Sequence, residues 1–413
     1  MSKVLIIGGG IVGLTSAYYL QKKGYEVTVL DKGDITDNCS FGNAGMIVPS
    51  HFVPLAAPGM VKQGIRWMFN SKSPFYVRPS LNGDLIRWGF RFMKHATAKH
   101  VNHSAEPLRD LSLLSKKLYE DFAGEPGFDF ELTHNGILAF YKTEKAGEEE
   151  THLAARAIEL GLDMAVLNVF ECSLLQPDLN LDVLGAVHYR CDAHLYPTKM
   201  MNSLLQYLTG NGVKIVRGKE VDRMETAGKR VIKVFTGKQS WEADQFVIAT
   251  GSWSPAIAKM AGVNISLMPG KGYSFMESEP ENRLTIPALL CEARVALTPM
   301  NGQIRYGGTM ELDKINTNIN RQRVKGIVES VPQYFPDLKP VLPAEKDIWY
   351  GFRPSSPDGL PYIGRSEKRE NLIVATGHGM MGMSLGPATG LLVSQIASGM
   401  ATELKLDPFA VAR

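Results

Sequence analysis

Cysteine is scarce in this chain of 413 residues, which contains only Cys39, Cys172, Cys191 and Cys291. None belongs to a Cys-x-x-Cys pair, so a zinc ribbon, a thioredoxin motif and a disulfide scaffold are disfavoured, and no metal site is expected. The net charge is only 45 − 42 = +3, which argues against bulk binding of nucleic acid. Hydrophobic residues make up 44% of the chain. We therefore expect a folded protein, and the cysteine usage favours a cytoplasmic location.

An apolar helix long enough to span a membrane is not expected. Residues 371–402 contain no Asp, Glu, Lys or Arg, and a membrane span needs ~20 predominantly apolar residues. Glycines recur through this run and Pro387 lies in its middle, so a spanning helix would be broken repeatedly. We predict a strand, a glycine-rich turn and a buried helix. A targeting segment is not expected either, because no small-residue cleavage site follows the first apolar run.

The first thirty-one residues have the pattern of a βαβ unit. Val4 to Ile7 is a short apolar run typical of a buried parallel strand. Helix-like spacing of apolar residues follows from about Ile11 to Lys23, and Tyr25 to Leu30 alternates into a second strand that ends at Asp31. The connection between the two strands should be right-handed.

The turn of this unit carries the glycine fingerprint Gly8-x-Gly10-x-x-Gly13. Gly8 allows the sharp turn, Gly10 lets the backbone approach a pyrophosphate, and Gly13 lets helix and strand pack closely. The helix N-terminus would hold the phosphates through free N–H groups and its dipole, and Asp31 would accept hydrogen bonds from a ribose. The motif predicts a dinucleotide site but does not separate FAD from NAD.

The rest of the chain predicts a second domain interleaved with the first. Residues 246–251 and 372–377 are apolar strands ending in Thr-Gly, typical of strand ends that meet a ligand at the edge of a parallel sheet. Residues 56–150 and 262–345, approximately, instead mix helices with alternating strands such as 136–141 and 303–307. The predicted domains are therefore 1–55, 160–261 and 346–413 for the dinucleotide-binding domain, and 56–159 and 262–345 for a substrate domain.

Further motifs occur in order over essentially the whole chain. They are Cys39-Ser40-x-x-Asn43-Ala44-Gly45-Met46-Ile47, Ala249-Thr250-Gly251-Ser252-Trp253, Trp349-x-Gly351-x-Arg353-Pro354-x-x-Pro357-Asp358-Gly359, and Gly377-His378-Gly379 through Gly386-Pro387-Ala388-Thr389-Gly390. With the fingerprint, these resemble the FAD-dependent D-amino-acid oxidase and glycine oxidase superfamily, most closely its D-amino-acid dehydrogenase branch. The resemblance implies an α/β plus α+β fold. In that fold a Rossmann-like FAD-binding domain is joined to a domain whose antiparallel sheet covers the flavin ring.

The resemblance also implies which residues would contact a non-covalent FAD. The ADP half would contact Gly8, Gly10, Val12, Gly13, Asp31, Lys32 and Val221, the last in a short strand after Gly218. Asp31 stands where the family usually has Glu. The flavin ring and the pyrophosphate side would contact Asn43, Ala44, Gly45, Thr250, Gly251 and Trp253. Backbone N–H groups would meet the flavin C2 carbonyl from Gly379, Met380, Met381, Gly382 and Met383.

On the substrate side the resemblance implies that Arg353 anchors a carboxylate, since an Arg fork matches it bidentately. The alternative is a structural Arg paired with Asp358. Tyr273 and Tyr306 are candidate donors to the same carboxylate, and Arg305 or Tyr273 would replace Arg353 as anchor if it proved structural. His51 and His378 lie in segments expected near the flavin. Each would either adjust the properties of the flavin or accept the proton of the substrate amine; the alternative is a structural histidine that is hydrogen-bonded to neighbouring groups. Cys39 is interpreted as a small buried residue that fills space in the core, and His194 as a residue with a structural role.

The implied activity is oxidative deamination of D-amino acids or D-proline-like imino acids. A hydride passes from Cα to flavin N5, and the imine then hydrolyses to a 2-oxo acid and ammonia. A glycine or sarcosine oxidase, a non-catalytic flavoprotein serving as assembly factor or redox sensor, and a nicotinamide-dependent dehydrogenase remain alternatives. The electron acceptor would be a quinone or dioxygen.

Basic residues concentrate in 62–100, where eight oppose Asp84 alone and give a charge of +7. A helix from about Asp84 to Thr97 would place Arg87, Arg91 and Lys94 on one face. Such a basic amphipathic helix can lie on an anionic membrane surface. The protein would then be peripheral on the inner membrane face. The alternative is an ordinary core-facing helix with a solvated outer side.

Overall fold

The computed structural model describes residues 1–36, 38–60, 74–77, 83–279, 281 and 283–413. The α-helices of these residues are α1 (Ile11–Lys22), α2 (Gly83–His95), α3 (Ala98–Gly124), α4 (Glu144–Glu159), α5 (Val169–Leu175), α6 (Pro197–Gly210), α7 (Ser254–Met260), α8 (Arg321–Tyr334) and α9 (Gly382–Ser398).

Strands of the first half are β1 (Lys3–Ile7), β2 (Glu26–Leu30), β3 (Met46–Ile47), β4 (Phe75–Val77), β5 (Ile137–Tyr141), β6 (Ala165–Asn168), β7 (Gly185–Tyr189), β8 (Ala193–His194) and β9 (Lys214–Val216). Those of the second half are β10 (Arg223–Ala227), β11 (Arg230–Thr236), β12 (Gln239–Glu242), β13 (Gln245–Ile248), β14 (Met268–Ser278), β15 (Ala288–Leu290), β16 (Val295–Pro299), β17 (Gln303–Leu312), β18 (Trp349–Ser355), β19 (Tyr362–Arg365) and β20 (Leu372–Thr376).

The first sheet has the order β19-β20-β13-β1-β2-β9, and only β19 runs antiparallel to its neighbour. Strand β1 lies in the middle because its apolar residues are covered on both faces: Ile6 packs with α1 and Leu5 with the opposite cluster. Its register pairs Leu5 with Thr28 on one side and with Phe246 on the other. The predicted Rossmann-like domain is confirmed. In the chain segment between β9 and β13, strands β10–β12 form a small antiparallel sheet.

Helices α1 and α9 pack against each other over this sheet through small residues. A Cβ atom added to Gly386 would lie 2.7 Å from Ile11 Cγ1, and one added to Gly390 would lie 2.5 Å from the Thr15 carbonyl carbon. The Thr15 hydroxyl donates to the Gly386 carbonyl at 2.9 Å. The charge-free run is therefore strand, turn and buried helix, as predicted. Within the described ranges, no helix has both the length and the apolarity that crossing a bilayer requires.

A larger, mostly antiparallel sheet has the order β18-β14-β17-β16-β15-β5-β7-β6, with β4 pairing with β17. One face packs against α8, where Val324, Ile327 and Val331 are fully buried with Tyr273 and Phe275 of β14. The pairing at the end of this sheet corrects the predicted boundary at residue 160. Strands β6 and β7, which the prediction assigns to the dinucleotide-binding domain, belong to the large sheet: β7 pairs with β5, and β6 pairs with β7.

Helix α2 matches the predicted amphipathic helix within two residues at each end. The buried Trp88 donates its indole N–H to the Ser355 carbonyl at 2.9 Å and packs with Met310 and Leu312 of β17. The helix therefore covers one end of the large sheet. Four of the eight basic residues of segment 62–100 lie outside the described residues, namely Lys62, Arg66, Lys72 and Arg78.

Candidate functional site

The turn from β1 to α1 has the geometry that a bound diphosphate requires. Gly8 has φ +110° and packs directly on the Ala249 carbonyl, and Gly13 packs on the Gly8 carbonyl, so neither position has room for a side chain. A Cβ atom added to Gly10 would meet only the Ser40 hydroxyl, at 3.5 Å. Helix α1 has no acidic residue in its first turn, and its N-cap residue Gly10 supplies no side-chain cap, although the Ser40 hydroxyl accepts from Ile11 N at 3.0 Å. No negative charge within its first turn therefore opposes an anion at the N-terminus of α1.

Asp31, at the end of β2, organises the backbone around this turn. Its carboxylate accepts from Gly9 N at 2.6 Å and from Gly33 N at 2.7 Å. Each oxygen accepts one such bond and has a further lone pair for a ribose hydroxyl. The next residue, Lys32, places its Nζ 4.0 Å from the ring centre of Trp253. The first-turn residue Val12 is buried in the core beneath the turn.

Val221 lies in the loop between β9 and β10 and not in a strand, which corrects the prediction. The loop is tied to the end of β2, because Lys219 N donates to the Asp31 carbonyl at 2.8 Å and Gly218 N to the Gly33 carbonyl at 2.9 Å. The buried side chain of Val221 packs in the cluster that contains Leu30. The structure therefore brings Val221 to the same edge of the sheet as Asp31.

Hydrogen bonds between hydroxyl groups connect the Thr-Gly segments that follow β13 and end β20. The Thr250 hydroxyl lies 3.0 Å from that of Ser254, which donates to the Thr376 hydroxyl at 2.8 Å. Thr376 in turn donates to the Gly251 carbonyl at 3.1 Å. Gly251 has φ +53° and nothing within 4 Å of an added Cβ atom. The ends of β13 and β20 thus form one rigid edge with open space above Gly251.

The segment Gly379–Met383 forms a 3-10 turn, Gly379–Met381, that runs into α9. Gly379 has φ +56° and open space at its Cβ position, and no side chain caps α9. Met381 N donates to the His378 carbonyl at 2.9 Å, so this N–H is already used. Met380 is half exposed, whereas Met383 is buried. The N-termini of α1 and α9 lie at the same edge of the sheet, since both helices follow parallel strands of it.

The loop Asn43–Gly45 is held tightly by its own side chain and by neighbouring strands. Asn43 Oδ1 accepts from Gly45 N at 2.9 Å, and Gly45 has φ +76°. Leu195 N donates to the Gly45 carbonyl at 2.8 Å, and a Cβ atom on Gly45 would run into the Leu195 carbonyl. Ala44 packs in the small cluster with Met46 and Met381, next to the start of α9.

Arg353 extends from β18 across the face of the large sheet. Its guanidinium donates to the Thr309 carbonyl and lies over Gly272, where an added Cβ atom would come within 2.5 Å of Nη2. The Cys39 thiol lies beside it and accepts from Phe352 N at 3.3 Å. Burial lowers the pKa of Arg353 to about 10, because no acidic side chain of the described residues forms an ion pair with it.

The alternative pairing of Arg353 with Asp358 is wrong, because Asp358 has another partner. Arg413 Nε lies 2.6 Å from Asp358 Oδ2, and Arg413 Nη2 donates to Oδ1 at 3.2 Å. The arginine keeps the pKa of the Asp358 carboxyl below its ordinary value, although burial opposes it.

Thr309 is strained at the point where it meets Arg353. It has φ +62° in a register shift of β17, between Gly308 and Met310. Its buried hydroxyl has no hydrogen-bond partner among the described residues. Backbone strain and an unpaired hydroxyl beside a buried cation are typical of a ligand-binding site.

The structure does not bring Tyr273 or Tyr306 to Arg353, which corrects that prediction. Side chains of adjacent strand residues point to opposite faces. Gly272 faces Arg353, whereas Tyr273 packs in the core beneath α8, where Asn320 N donates to its hydroxyl at 3.1 Å. Tyr306 stacks on Phe275 in the same core, with ring centres 5.2 Å apart. Burial raises the pKa of both tyrosines.

The two candidate histidines lie next to local hydroxyl groups; His378 is buried and His51 is partly buried. The His378 ring lies 2.9 Å from the Thr389 hydroxyl, and burial lowers its pKa to about 3. The His51 ring lies 3.2 Å from the Ser50 hydroxyl, and burial together with Arg294 lowers its pKa to about 4. Both imidazoles are neutral near pH 7 and are weak bases. His194 lies at the strand-to-helix junction before α6, as predicted.

Sequence reasoning missed residues that hold the site together. Ser40 accepts from Ile11 N at 3.0 Å, and its place in the Cys39-Ser40 motif was a usable signal. Asp192 is fully buried and accepts from Ser50 N at 3.0 Å and from its hydroxyl at 2.6 Å. The Trp349 ring packs on Gly42 and Gly351. The Trp349-x-Gly351 motif was a usable signal for Trp349, whereas the partner of Asp192, Ser50, is distant in sequence, so the local pattern held no signal for it.

Comparisons with known proteins agree over the whole chain. The family model "DAO: FAD dependent oxidoreductase" matches residues 3–396. A D-amino acid dehydrogenase of Helicobacter pylori strain J99 is 30% identical over 406 residues, covering 98% of this chain and 97% of that protein. The D-amino acid dehydrogenase of Granulibacter bethesdensis is 30% identical over 421 residues, covering 100% and 99%.

Solved structures share the fold at lower identity. Glycine oxidase from Geobacillus kaustophilus superposes with a TM-score of 0.80 at 22% identity, covering 100% of this chain and 99% of that chain. L-proline dehydrogenase from P. horikoshii superposes with a TM-score of 0.74 at 21% identity, covering 100% and 97%. At these levels of sequence identity, the structural similarity shows a shared fold and does not indicate a shared activity.

Proposed function

The chain belongs to the family of FAD-dependent oxidoreductases, and from this premise we propose that it oxidatively deaminates D-amino acids. Substrate oxidation at Cα would yield an imine, which hydrolyses to a 2-oxo acid and ammonia. Two relatives at 30% identity over nearly the full length are named D-amino acid dehydrogenase, which supports this substrate class. Proline-like D-imino acids carry the same Cα–N bond and carboxylate, so they belong to the proposed range.

The cofactor of the family is FAD, and the described residues fit it. The N-termini of α1 and α9, whose own N-cap residues supply no side-chain cap, follow parallel strands of one sheet and would offer N–H groups to a diphosphate and to a flavin carbonyl. Open space at Gly10, Gly251 and Gly379 leaves room for the group. When bound, FAD supplies the two-electron acceptor for the substrate. The chain's own residues then bind, orient and exclude water.

The proposal depends mainly on Arg353. Its partly buried guanidinium has no acidic partner among the described residues, and withdrawing an unpaired cation from water is costly unless a ligand supplies the anion. A substrate α-carboxylate provides that charge with the planar geometry of the Arg fork. Gly272 leaves room for the guanidinium, and the Thr309 carbonyl holds one side of it. The carboxylate would thereby fix the position of Cα.

The histidines are unsuited to hold the amine proton. His51 and His378 have pKa values lowered to about 4 and about 3, far below that of an alkylammonium group. We therefore infer that the substrate amine loses its proton to solvent before or during binding. Because no described titratable side chain needs to gain that proton, activity should rise with pH as the neutral amine becomes more abundant.

Anaerobic mixing with a substrate panel tests the proposal. The purified holoenzyme is mixed with D- and L-amino acids, D- and L-proline, glycine and sarcosine, and loss of the oxidised flavin absorbance is followed. D-amino acids should bleach the flavin with larger rate constants than their L enantiomers. Bleaching by glycine or sarcosine alone would favour an amine oxidase of that kind. An unbleached flavin with every compound would favour a non-catalytic flavoprotein and refute the proposal.

We further propose that α2 brings the protein to an anionic membrane, where a quinone would accept the electrons in preference to dioxygen. Ile86, Phe90 and Met93 are exposed by 48%, 65% and 47% and share one side of the helix. Next to this apolar stripe lies a second, basic one, composed of Arg87, Arg91 and Lys94, all exposed. Exposed apolar and basic stripes side by side are typical of helices at a lipid interface.

A further inference from the structure

A second buried arginine, Arg305, lies on the same face of the large sheet as Arg353. It belongs to β17 and is 6% exposed. Its Nη1 donates to the Phe41 carbonyl at 2.9 Å and to the Asn43 carbonyl at 2.5 Å, and its Nε lies 3.1 Å from Met276 Sδ. The guanidinium therefore holds the backbone of the loop that precedes Gly45.

The positive charge of Arg305 has no acidic partner among the described residues. Its recorded partners are two carbonyls and a thioether, all uncharged. Burial lowers its pKa to about 10, which is the direction expected for a desolvated cation without a nearby carboxylate. Asp37 is the only acidic residue of the chain outside the described ranges. A buried charge with this environment calls for an anion from outside the protein.

Strand pairing places Arg305 toward the cofactor side of the sheet. Arg305 pairs with Met276 of β14, and Ser274, two residues earlier and hence on the same face, donates to the Gly42 carbonyl at 3.0 Å. Gly272, again two residues earlier, faces Arg353. The two unpaired cations thus share a face, and each needs its own anion. A monocarboxylate substrate satisfies Arg353 alone.

We propose that Arg305 is a positioning residue. It holds the loop Phe41–Asn43 against the sheet, and its positive charge stabilises the negative charge that FAD acquires on reduction. This rests on the proposed placement of Asn43–Gly45 beside the flavin ring but not on the substrate assignment. FAD reduction adds two electrons, and an unpaired cation nearby favours the more negative state. Arg305 would therefore raise the reduction potential of the bound cofactor.

Sulfite binding to the oxidised holoenzyme tests this without any amino acid. Sulfite adds to the flavin and leaves negative charge on the ring, so its affinity reports the local positive charge. R305Q removes the charge while keeping an amide N–H donor for the loop carbonyls, and R305K keeps the charge. R305Q should bind sulfite about ten- to hundredfold more weakly, as expected for the loss of one buried positive charge close to the ring. R305K should stay near the wild-type affinity.

The reduction potential gives an independent reading. A tenfold change in the two-electron equilibrium corresponds to about 30 mV, so R305Q should lower the midpoint potential of bound FAD by about 30 to 60 mV. The matched control is R365Q. Arg365 also donates to backbone carbonyls, of Glu370 and Ile396, but pairs with Ile373 at the opposite end of β20 from Thr376. R365Q should change neither quantity.

Several outcomes would overturn the proposal. Wild-type sulfite affinity and reduction potential in R305Q would show that the charge has no influence on the flavin. An equal loss of both in R305Q and R305K would indicate a purely structural role. Tighter sulfite binding by D37N would mean that Asp37 neutralises Arg305. A raised KM for amino acids in R305Q with unchanged sulfite affinity would make Arg305 a substrate anchor. If R305Q does not retain FAD, R305M and R305K are compared after reconstitution, with the same criteria.

Discussion

Truncation of Arg353 to alanine would remove the cation against which the substrate carboxylate is proposed to bind. The guanidinium is partly buried, and among the described residues its hydrogen-bond acceptor is the uncharged carbonyl of Thr309. In the variant, a bound carboxylate would lose its hydration without gaining a counter-charge. Removing one partner of a buried, hydrogen-bonded charge pair costs about 2 to 5 kcal/mol. This corresponds to a loss in kcat/KM of roughly 30-fold to several thousand-fold.

The assay compares kcat/KM for a D-amino acid with that for the same amine lacking the carboxylate. Arg353→Ala should retain FAD, lose most activity toward the amino acid, and weaken a carboxylate inhibitor by a similar factor. Arg353→Lys should recover part of the loss, because a point charge lacks the planar fork. Undiminished turnover of amino acids by the Ala variant, with an unchanged flavin spectrum, would refute the role of Arg353.

Gly272→Ala perturbs the same anchor without removing its charge. The added Cβ atom would lie 2.5 Å from Arg353 Nη2, so the guanidinium must move. We expect a raised KM for amino acids with FAD binding intact, and a smaller effect than that of Arg353→Ala. Gly89→Ala in α2 is a suitable control, because nothing lies within 4 Å of its Cβ position. An unchanged KM in Gly272→Ala would show that this guanidinium position is not required.

Three further predictions follow from other parts of the molecule. Gly10→Leu should yield colourless protein that does not reconstitute with FAD, since the side chain would fill the diphosphate space; a yellow variant would contradict the site. Phe90→Ser should reduce salt-sensitive co-sedimentation with phosphatidylglycerol vesicles, whereas Phe170→Ser, at 67% exposure, should not. Burial raises the pKa of Asp192 to about 7, so between about pH 4 and pH 7 the folded protein binds a proton that the unfolded chain lacks, and stability should fall as the pH rises through this range. Asp192→Asn should flatten that decline, by on the order of 4 kcal/mol, in denaturant titrations across this range; an unchanged slope would contradict the shifted pKa.

The dinucleotide half of the fold could be predicted because its signals are local. The turn between β1 and α1 needs a positive φ at Gly8 and close packing at Gly13, and both requirements select glycine within six residues of sequence. The apolar run of β1 likewise reflects burial on both faces of a parallel sheet. These constraints act between neighbouring residues, so a single sequence displays them.

The face on which a strand residue lies could not be predicted in the same way. Tyr273 and Arg353 belong to paired strands, yet the tyrosine lies under α8 and the arginine on the other face. The register shifts between Lys271 and Tyr273, opposite the strained Thr309, and one extra residue reverses the side-chain alternation along a strand. No local pattern in this sequence marks that position beyond the glycines that precede Thr309.

Contacts between residues far apart in the sequence also determine the partners of Arg353 and Arg305. Asp358 follows Arg353 by five residues and was the natural local partner, but Arg413 at the end of the chain takes it. That exchange leaves Arg353 without an acidic partner among the described residues. The same pattern recurs at Arg305, whose acceptors are carbonyls more than 260 residues away in sequence. The sequence motifs therefore indicate the family, whereas distant pairings leave these two positive charges available for the anions of the reaction.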